Sequence, residues 1–364
     1  MSHGVNNPAA NPAASPGSPG EAALHCLVTG GAGFIGSHLV DHLLAGGARV
    51  TVVDNLSTGR ESNLAPARAR AGSRLRFVRA DLGAAITSEL ASERFGQIYH
   101  LAAAVGVRRI IERPIESIES NVLDTSAVLR YAASHGPSGG PAPTLIASSS
   151  EVYGKSPKSP FHEDDDCLYG PTTAFRWSYA ASKAIDEYLA LAHHAQNGLP
   201  VAVARFFNTV GPRQVGDYGM VLPAFVASAL AGRPLDVYGD GRQTRCFCDV
   251  RDVVPALPRL LAAGAIAGVV ANVGSERPIS IMELAELVVK TLQSRSTIRS
   301  IPYDRAYAPG FEDLRQRRPD LGRLRSLINF EPRITLEQTI RAIADDLAPA
   351  GVTVLPAPKA PAAP

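Results

Sequence analysis

Short apolar runs alternate along this chain with longer stretches in which apolar side chains return at three- and four-residue spacing, the pattern of strands followed by amphipathic helices. Residues 24–28 read as a buried strand, and Phe34, Ile35, Leu39, Val40, Leu43 and Leu44 as the inner face of a helix. Strands follow at 49–53, 75–80 and 97–102. A helix carrying Ile118, Val122, Thr125, Val128, Leu129 and Ala132 leads, through a Gly/Pro-rich turn at 136–143, to a fifth strand at 144–147. Ala184, Ile185, Tyr188, Leu189 and Leu191 trace another amphipathic helix, 202–207 another strand, and 220–230 a further helix. Residues 234–241 read as a strand and hairpin, 269–273 as a returning strand, and 281–292 as a helix. This succession of βα units predicts an α/β fold built on a doubly wound parallel sheet.

The first strand runs into Val28-Thr29-Gly30-Gly31-Ala32-Gly33-Phe34-Ile35-Gly36-Ser37-His38, so the glycines lie on a strand-to-helix turn. Gly31, Gly33 and Gly36 fit the G-x-G-x-x-G fingerprint, and Gly30, Gly33 and Gly36 make an evenly spaced triplet. Free N–H groups and the dipole at the helix N-terminus favour a dinucleotide pyrophosphate there. The second strand ends in Asp54, about 20 residues past the turn, where a carboxylate meets a ribose hydroxyl. A carboxylate at that place repels a 2′-phosphate, which favours NAD over NADP; Arg60 acts in the opposite sense. The loop Asn55-Leu56-Ser57-Thr58-Gly59-Arg60 is placed for the adenosine end, and Asp81-Leu82 for adenine. The small residues of Ala102-Ala103-Ala104-Val105-Gly106 allow the backbone to pass close to the cofactor.

Lys and Arg number 36 against 34 Asp and Glu, a balance that points to neither a nucleic-acid nor a membrane-surface partner and leaves basic groups to act locally. No apolar run is long enough to span a bilayer, and the first residues lack the apolar core of a signal peptide. Residues 1–22 and 349–364 are expected to be disordered tails, too poor in large apolar side chains to fold alone. Cys26, Cys167, Cys246 and Cys248 show no disulfide framework, and Cys246-x-Cys248 lacks a second ligand pair. No metal is expected, the pair reads as strand residues, and the compartment reads as reducing and cytoplasmic.

The fifth strand ends in Ser148-Ser149-Ser150-Glu151-Val152-Tyr153-Gly154, and strand carboxyl ends are where such sheets hold ligands. Hydroxyls followed by a carboxylate suit a sugar. After an acidic loop at 161–166 comes Arg176-Trp177-Ser178-Tyr179-Ala180-Ala181-Ser182-Lys183. Tyr179 and Lys183 are four apart and share a helix face. A free tyrosine titrates at about 10. A neighbouring ammonium and a positive nicotinamide ring would lower that value and let Tyr179 take a hydroxyl proton as hydride leaves the same carbon.

Together these motifs resemble the extended short-chain dehydrogenase/reductase superfamily of nucleotide-sugar epimerases, dehydratases and decarboxylases, over residues 24–347. Within it the chain is most similar to UDP-glucuronic acid decarboxylases. Ser149-Ser150-Glu151-Val152-Tyr153-Gly154 resembles their Thr-Ser-Glu-Val-Tyr-Gly. Gly170-Pro171 with Arg176-Trp177-x-Tyr179-x-x-Ser182-Lys183, and Arg245-Cys246-Phe247-x-Asp249-Val250-Arg251-Asp252, resemble the bacterial decarboxylase of the aminoarabinose lipid A pathway. Arg317-Arg318-Pro319-Asp320 and Phe330-Glu331-Pro332 resemble the family's Arg-Lys-Pro and Trp-Glu-Pro segments. Glu151 sets the chain apart from simple 4-epimerases, which carry a small or hydroxyl residue there, and Ser150 from dTDP-glucose-type dehydratases, which carry Asp. GDP-mannose dehydratases share the Ser-Glu pair. Val105-Gly106-Val107-Arg108 departs from the decarboxylases and leaves the identity of the sugar open.

The resemblance implies a Rossmann domain over 23–212, with a returning segment at about 243–273, and a smaller α/β nucleotide-sugar domain from 213–242 and 274–348. It implies NAD held by Gly30, Gly33, Phe34, Ile35, Gly36, Asp54, Asn55, Ser57, Thr58, Gly59, Asp81, Leu82, Leu101, Ala102 and Ala103, with Tyr179 and Lys183. A UDP-sugar is implied against Val105, Arg176, Asn208, Arg213, Val237, Tyr238, Gln243, Arg245 and Arg317, with a loop at 303–310 closing on the nucleotide. Catalysis falls to Tyr179, Lys183, Ser149, Ser150, Glu151 and Arg317. The expected reaction is oxidation at C4 of UDP-glucuronic acid and loss of CO₂ from the β-keto acid, ending in UDP-xylose or the 4-keto pentose. The alternatives are a 4-epimerase, a 4,6-dehydratase, and an NAD-binding regulator without catalysis. A homodimer through two helices per subunit is expected.

Overall fold

The computed structural model describes residues 23–103, 113–216, 220–302 and 315–348; both tails, Val105 with its loop, and the 303–310 loop lie outside them. β1 (His25–Thr29) enters α1 (Phe34–Ala45), and β2 (Arg49–Val53) is followed by α2 (Ala65–Ala71), β3 (Leu75–Val78) and α3 (Leu82–Thr87). β4 (Gln97–His100) precedes α4 (Pro114–Ala132), and β5 (Thr144–Ser149) runs into a 3-10 turn at Ser150–Tyr153, with a second at Phe175–Trp177 leading into α5 (Ser178–Asn197). Then come β6 (Val201–Phe206), β7 (Thr209–Val210), α6 (Val221–Leu230), β8 (Leu235–Tyr238), β9 (Thr244–Cys246), β10 (Cys248–Asp249) and α7 (Val250–Gly264). β11 (Val269–Val273), β12 (Pro278–Ser280), α8 (Ile281–Leu292), β13 (Ile298–Ile301), β14 (Gln316–Arg317), α9 (Gly322–Ile328) and α10 (Leu336–Leu347) complete the described chain.

Seven strands form one parallel sheet in the order β11-β6-β5-β4-β1-β2-β3. The strands are apolar on both faces because both are covered. Cys26 and Val28 of β1 point into a core shared with α1 and α7, while Leu27 between them points into a core shared with α4 and α5. The strand order reverses between β1 and β4, which opens a crevice at their carboxyl ends, the place where such sheets bind ligands.

A third core joins α6, α8 and α10 through residues such as Phe225, Leu284 and Ile340. Beside it lie the pairs β13-β8 and β10-β7 and the small sheet β12-β9-β14. After β10 the chain returns to the large sheet through α7 and β11, whereas Leu324 and Ile328 of α9 pack into the first core. The reading of 202–207 as strand stops one residue early, at Phe206. Phe207 leaves the sheet and packs with Val152, Tyr153 and Phe161 in a separate cluster. Likewise β4 ends at His100; the Leu101 N–H still donates to the Thr29 carbonyl at 3.1 Å, and the Ala102 N–H turns to the Thr29 hydroxyl instead. No helix among the described residues is long and apolar enough to cross a membrane.

Candidate active site

At the end of β1, Gly30 has φ +68°, and a Cβ there would sit 2.7 Å from the Ala102 nitrogen. The turn between β1 and α1 is therefore pressed against the residues that follow β4. A Cβ on Gly36 would strike the Gly30 carbonyl oxygen, so α1 begins with its first turn flush against the loop. Asp54, at the end of β2, is buried. Its Oδ2 accepts from the Ala32 N–H at 2.9 Å and its Oδ1 from the Leu56 N–H at 2.8 Å. Each oxygen retains a lone pair for a ribose hydroxyl. Gly59 lies where a Cβ would be 3.0 Å from the same carboxylate. Asn55 donates to Asp81 Oδ1 at 2.8 Å and accepts from the Ser57 N–H at 2.9 Å, tying together the two loops read as the adenosine end.

Across the crevice, α5 starts at Ser178 and carries Tyr179 in its first turn and Lys183 in its second, both buried. The Tyr179 hydroxyl is hydrogen-bonded to Ser149 at the end of β5. Burial pushes Tyr179 above its ordinary value and Glu151 adds to the rise, while Lys183, in the sense expected of its ammonium, and Ser149 pull it back down. Burial works against the charge on Lys183 too, but Asp186 at 2.9 Å and Tyr179 outweigh it and hold the ammonium above its usual range.

Glu151 sits in the 3-10 turn Ser150–Tyr153, its N–H donating to Ser149 Oγ at 3.3 Å. One carboxylate oxygen pairs with Arg317 Nη1, the other with Arg176 Nη1 at 2.8 Å. Burial favours the acid form, yet the two guanidiniums hold Glu151 at about 2, so it is an anion at neutral pH. The Nε atoms of both arginines are buried without a partner among the described residues. Arg317 reaches the site because β14 pairs beside β9, which makes Arg245 its neighbour in register. The next residues are clamped: the Phe161 N–H donates to the Arg318 carbonyl, and the Asp320 N–H to the Phe161 carbonyl, each at 2.8 Å.

A family model described as NAD dependent epimerase/dehydratase family matches residues 26–274. The chain belongs to that family. A UDP-N-acetyl-alpha-D-glucosaminuronate decarboxylase from Bacillus cytotoxicus is 40% identical over 87% of this chain and 95% of its own length. UDP-glucuronic acid decarboxylase 1 from Arabidopsis thaliana is 34% identical over 90% of this chain and 70% of its own. The solved dTDP-glucose 4,6-dehydratase from Streptomyces venezuelae with NAD bound is 30% identical, with a TM-score of 0.75 over 88% of this chain and 96% of that one. NAD is the cofactor of this epimerase/dehydratase family member, and the close-packed glycine turn with Asp54 beyond it fits that cofactor.

Several residues read from the sequence as substrate contacts also hold bonds or packing within the fold of this family member. Arg213 turns away: its Nη2 pairs with Asp41 of α1 at 2.7 Å and its N–H with Asp346 of α10 at 2.7 Å. Val237 is fully buried in the third core. Gln243 donates to the Tyr238 carbonyl at 3.0 Å, and Asn208 to the Cys246 carbonyl at 3.1 Å. Cys246 and Cys248 are buried, free thiols on β9 and β10.

Two groups escaped the sequence reading. Asn272 on β11 accepts from the Tyr153 hydroxyl at 2.7 Å and donates to the Phe161 carbonyl at 2.9 Å and the Asp320 carbonyl at 3.1 Å. It thus joins the Glu151 turn to the Arg317 segment. Its signal was a lone amide in the apolar run Val269-Val270-Ala271-Asn272-Val273. Below the turn, Arg205 holds Glu187 with two bonds, 2.9 and 2.7 Å, and lies over the Tyr153 ring. Both residues look like ordinary surface charges in sequence.

Proposed function

We propose that this enzyme decarboxylates a UDP-hexuronic acid, UDP-glucuronic acid in the first instance, through oxidation at C4. The observation that carries this is the charge count at Glu151. Among the described residues two buried guanidiniums face one carboxylate, with unpartnered Nε–H groups, beside the Tyr179 and Ser149 pair. An uncompensated buried cation is costly, and a substrate carboxylate at C6 would neutralise it. A neutral hexose, as in 4-epimerisation or 4,6-dehydration, would not.

NAD, when bound, supplies the hydride acceptor at C4 and the donor for its return. Tyr179, flanked by Lys183 and Ser149, takes the 4-hydroxyl proton. With a ketone at C4, the C5–C6 bond breaks and its electrons run into the C4 oxygen, where the Tyr179 and Ser149 hydroxyls donate to the enolate. Arg176 and Arg317 orient the departing carboxylate by charge-assisted bonds, and after CO₂ has left C5 takes a proton from water as the C4 ketone re-forms. Glu151, held ionised, keeps the two arginines parallel to this task rather than donating a proton itself. Arg245, next to Arg317 in the small sheet, is suited to the diphosphate.

A second reading, a 2-acetamido hexuronic acid on the same UDP handle, is favoured by the name of the Bacillus cytotoxicus relative. The exposed Leu123 on α4 and Ile185 and Tyr188 on α5 support a homodimer through those helices. The free thiols support a reducing, cytoplasmic compartment.

The test is mass spectrometry of the nucleotide sugars after incubation with NAD and, separately, UDP-glucuronic acid and UDP-N-acetylglucosaminuronic acid. Loss of CO₂ supports decarboxylation, and the product mass separates UDP-xylose from the 4-keto pentose. Unchanged mass with altered retention means an epimerase. No reaction with either acid sinks the proposal.

A further inference from the structure

Lys183 is shut off from solvent, and its ammonium meets Asp186 one helical turn further along α5, whose side chain is equally buried. Nothing in the reaction described above uses Asp186. Behind it runs a row of buried polar groups. The Ala102 N–H donates to Thr29 Oγ1 at 3.3 Å, Thr29 Oγ1 lies 2.8 Å from His100 Nδ1, and His100 Nε2 lies 3.1 Å from Thr125 Oγ1. The Thr125 hydroxyl in turn faces the Asp186 carboxylate and favours its ionised form, while Asp186 Oδ1 is buried with no hydrogen-bond partner among the described residues.

The direction of each bond follows from counting protons. Burial, with the Lys183 charge acting in the same sense, pushes His100 down to about 3, so its ring is neutral. A carboxylate only accepts, so Thr125 donates to Asp186 and accepts from His100 Nε2–H. His100 Nδ1 then accepts from the Thr29 hydroxyl, whose oxygen takes the Ala102 N–H. Thr125, His100 and Thr29 each accept one bond and donate one, and the row ends on Lys183 at one side and on the peptide pressed against Gly30 at the other.

We propose that Asp186 is a positioning residue for the C4 oxidation: it keeps Lys183 charged and aimed although both side chains are buried, and through Thr125, His100 and Thr29 ties that charge to the backbone of the cofactor cradle. This rests on the reading of Tyr179 and Lys183 as the oxidising pair. The groups facing the pair are Glu187 and Tyr179 from α5 itself, His100 from β4, and Asp124 from α4 against Asp186. Glu151 reaches Tyr179 from the turn after β5. With Asp186 gone, burial is left as the dominant influence on Lys183 and favours the neutral amine.

Asp186→Asn keeps the shape and removes the charge. Melting temperatures of wild type and D186N are compared from about pH 7 to about pH 10, spanning the approach to the ordinary lysine value. Wild-type Lys183 sits above its unfolded value, so its contribution is present throughout that window. In D186N the folded value falls below the unfolded one; protonation then favours unfolding, and the penalty fades as pH rises. The gap between the two proteins is expected to narrow with rising pH. A gap that does not change with pH overturns the proposal.

This readout needs no turnover, so failure of the sugar assignment leaves it intact. On UDP-glucuronic acid, the basic limb of the kcat profile is expected to move down by about one pH unit or more, with KM within about twofold. A limb that stays put denies the charge any part in the oxidation and also overturns the proposal. Should D186N not fold, Thr125→Val carries the same readouts, with a smaller movement of the same sign, and no movement is again fatal.

Discussion

Tyr179 and Glu151 stand on the same site with opposite electrostatic histories. Burial dominates at Tyr179 and lifts it, whereas two arginines overcome burial at Glu151 and hold it at about 2. Tyr179→Phe keeps the ring and removes the proton acceptor. Its kcat is expected to fall by about 10²–10⁴-fold, read by nicotinamide absorbance, with the fold intact by circular dichroism. Unchanged turnover would take Tyr179 out of the reaction. Glu151→Gln strips the anion from between two buried guanidiniums, and removal of one partner from such a cluster costs about 3–5 kcal/mol. Because Glu151 is depressed in the folded state, its stabilisation is present above the unfolded carboxylate value of about 4.3 and is lost as pH falls through about 2. The melting gap between wild type and E151Q is therefore expected to close across that acid window.

At the scale of elements, the glycine turn, β2 with Asp54, and the Tyr179–Lys183 face of α5 follow directly from spacing. Their partners are nearby in sequence or fixed by the βα repeat. Boundaries were less legible where apolar residues serve two cores, as at Phe207, which continues the β6 pattern but packs with Tyr153 and Phe161. α4 and α5 also leave large apolar side chains in solvent: Leu123 and Tyr188 are 62% and 74% exposed, more than a helix pair needs to cover itself. Leu123→Arg and Tyr188→Glu are each expected to shift a dimer to monomer in sedimentation velocity at micromolar protein, with the large sheet still folded. A species of unaltered mass for both variants would rule out this surface.

Across the whole molecule, distant segments are brought into one site by buried polar groups that periodicity does not reveal. Asn272 is enclosed, and its amide joins Tyr153, Phe161 and Asp320. Asn272→Ala would strand those partners at about 1–3 kcal/mol for each unsatisfied group. A lower denaturation midpoint is expected together with a fall in kcat, because the Glu151 turn and the Arg317 segment lose their common anchor. A loss of stability with full kcat would make Asn272 a fold residue only. The chain's local chemistry settled the parallel sheet, the cofactor turn and the tyrosine–lysine pair, since each depends on residues within one strand–turn–helix unit. What folding alone decided is that Arg317, 166 residues from Glu151, closes on it, that Arg213 goes to Asp41 rather than to the crevice, and that Asp186 meets a ladder from β1, β4 and α4. Charge pairing and burial act through space, and only packing three cores against one another sets which charges meet.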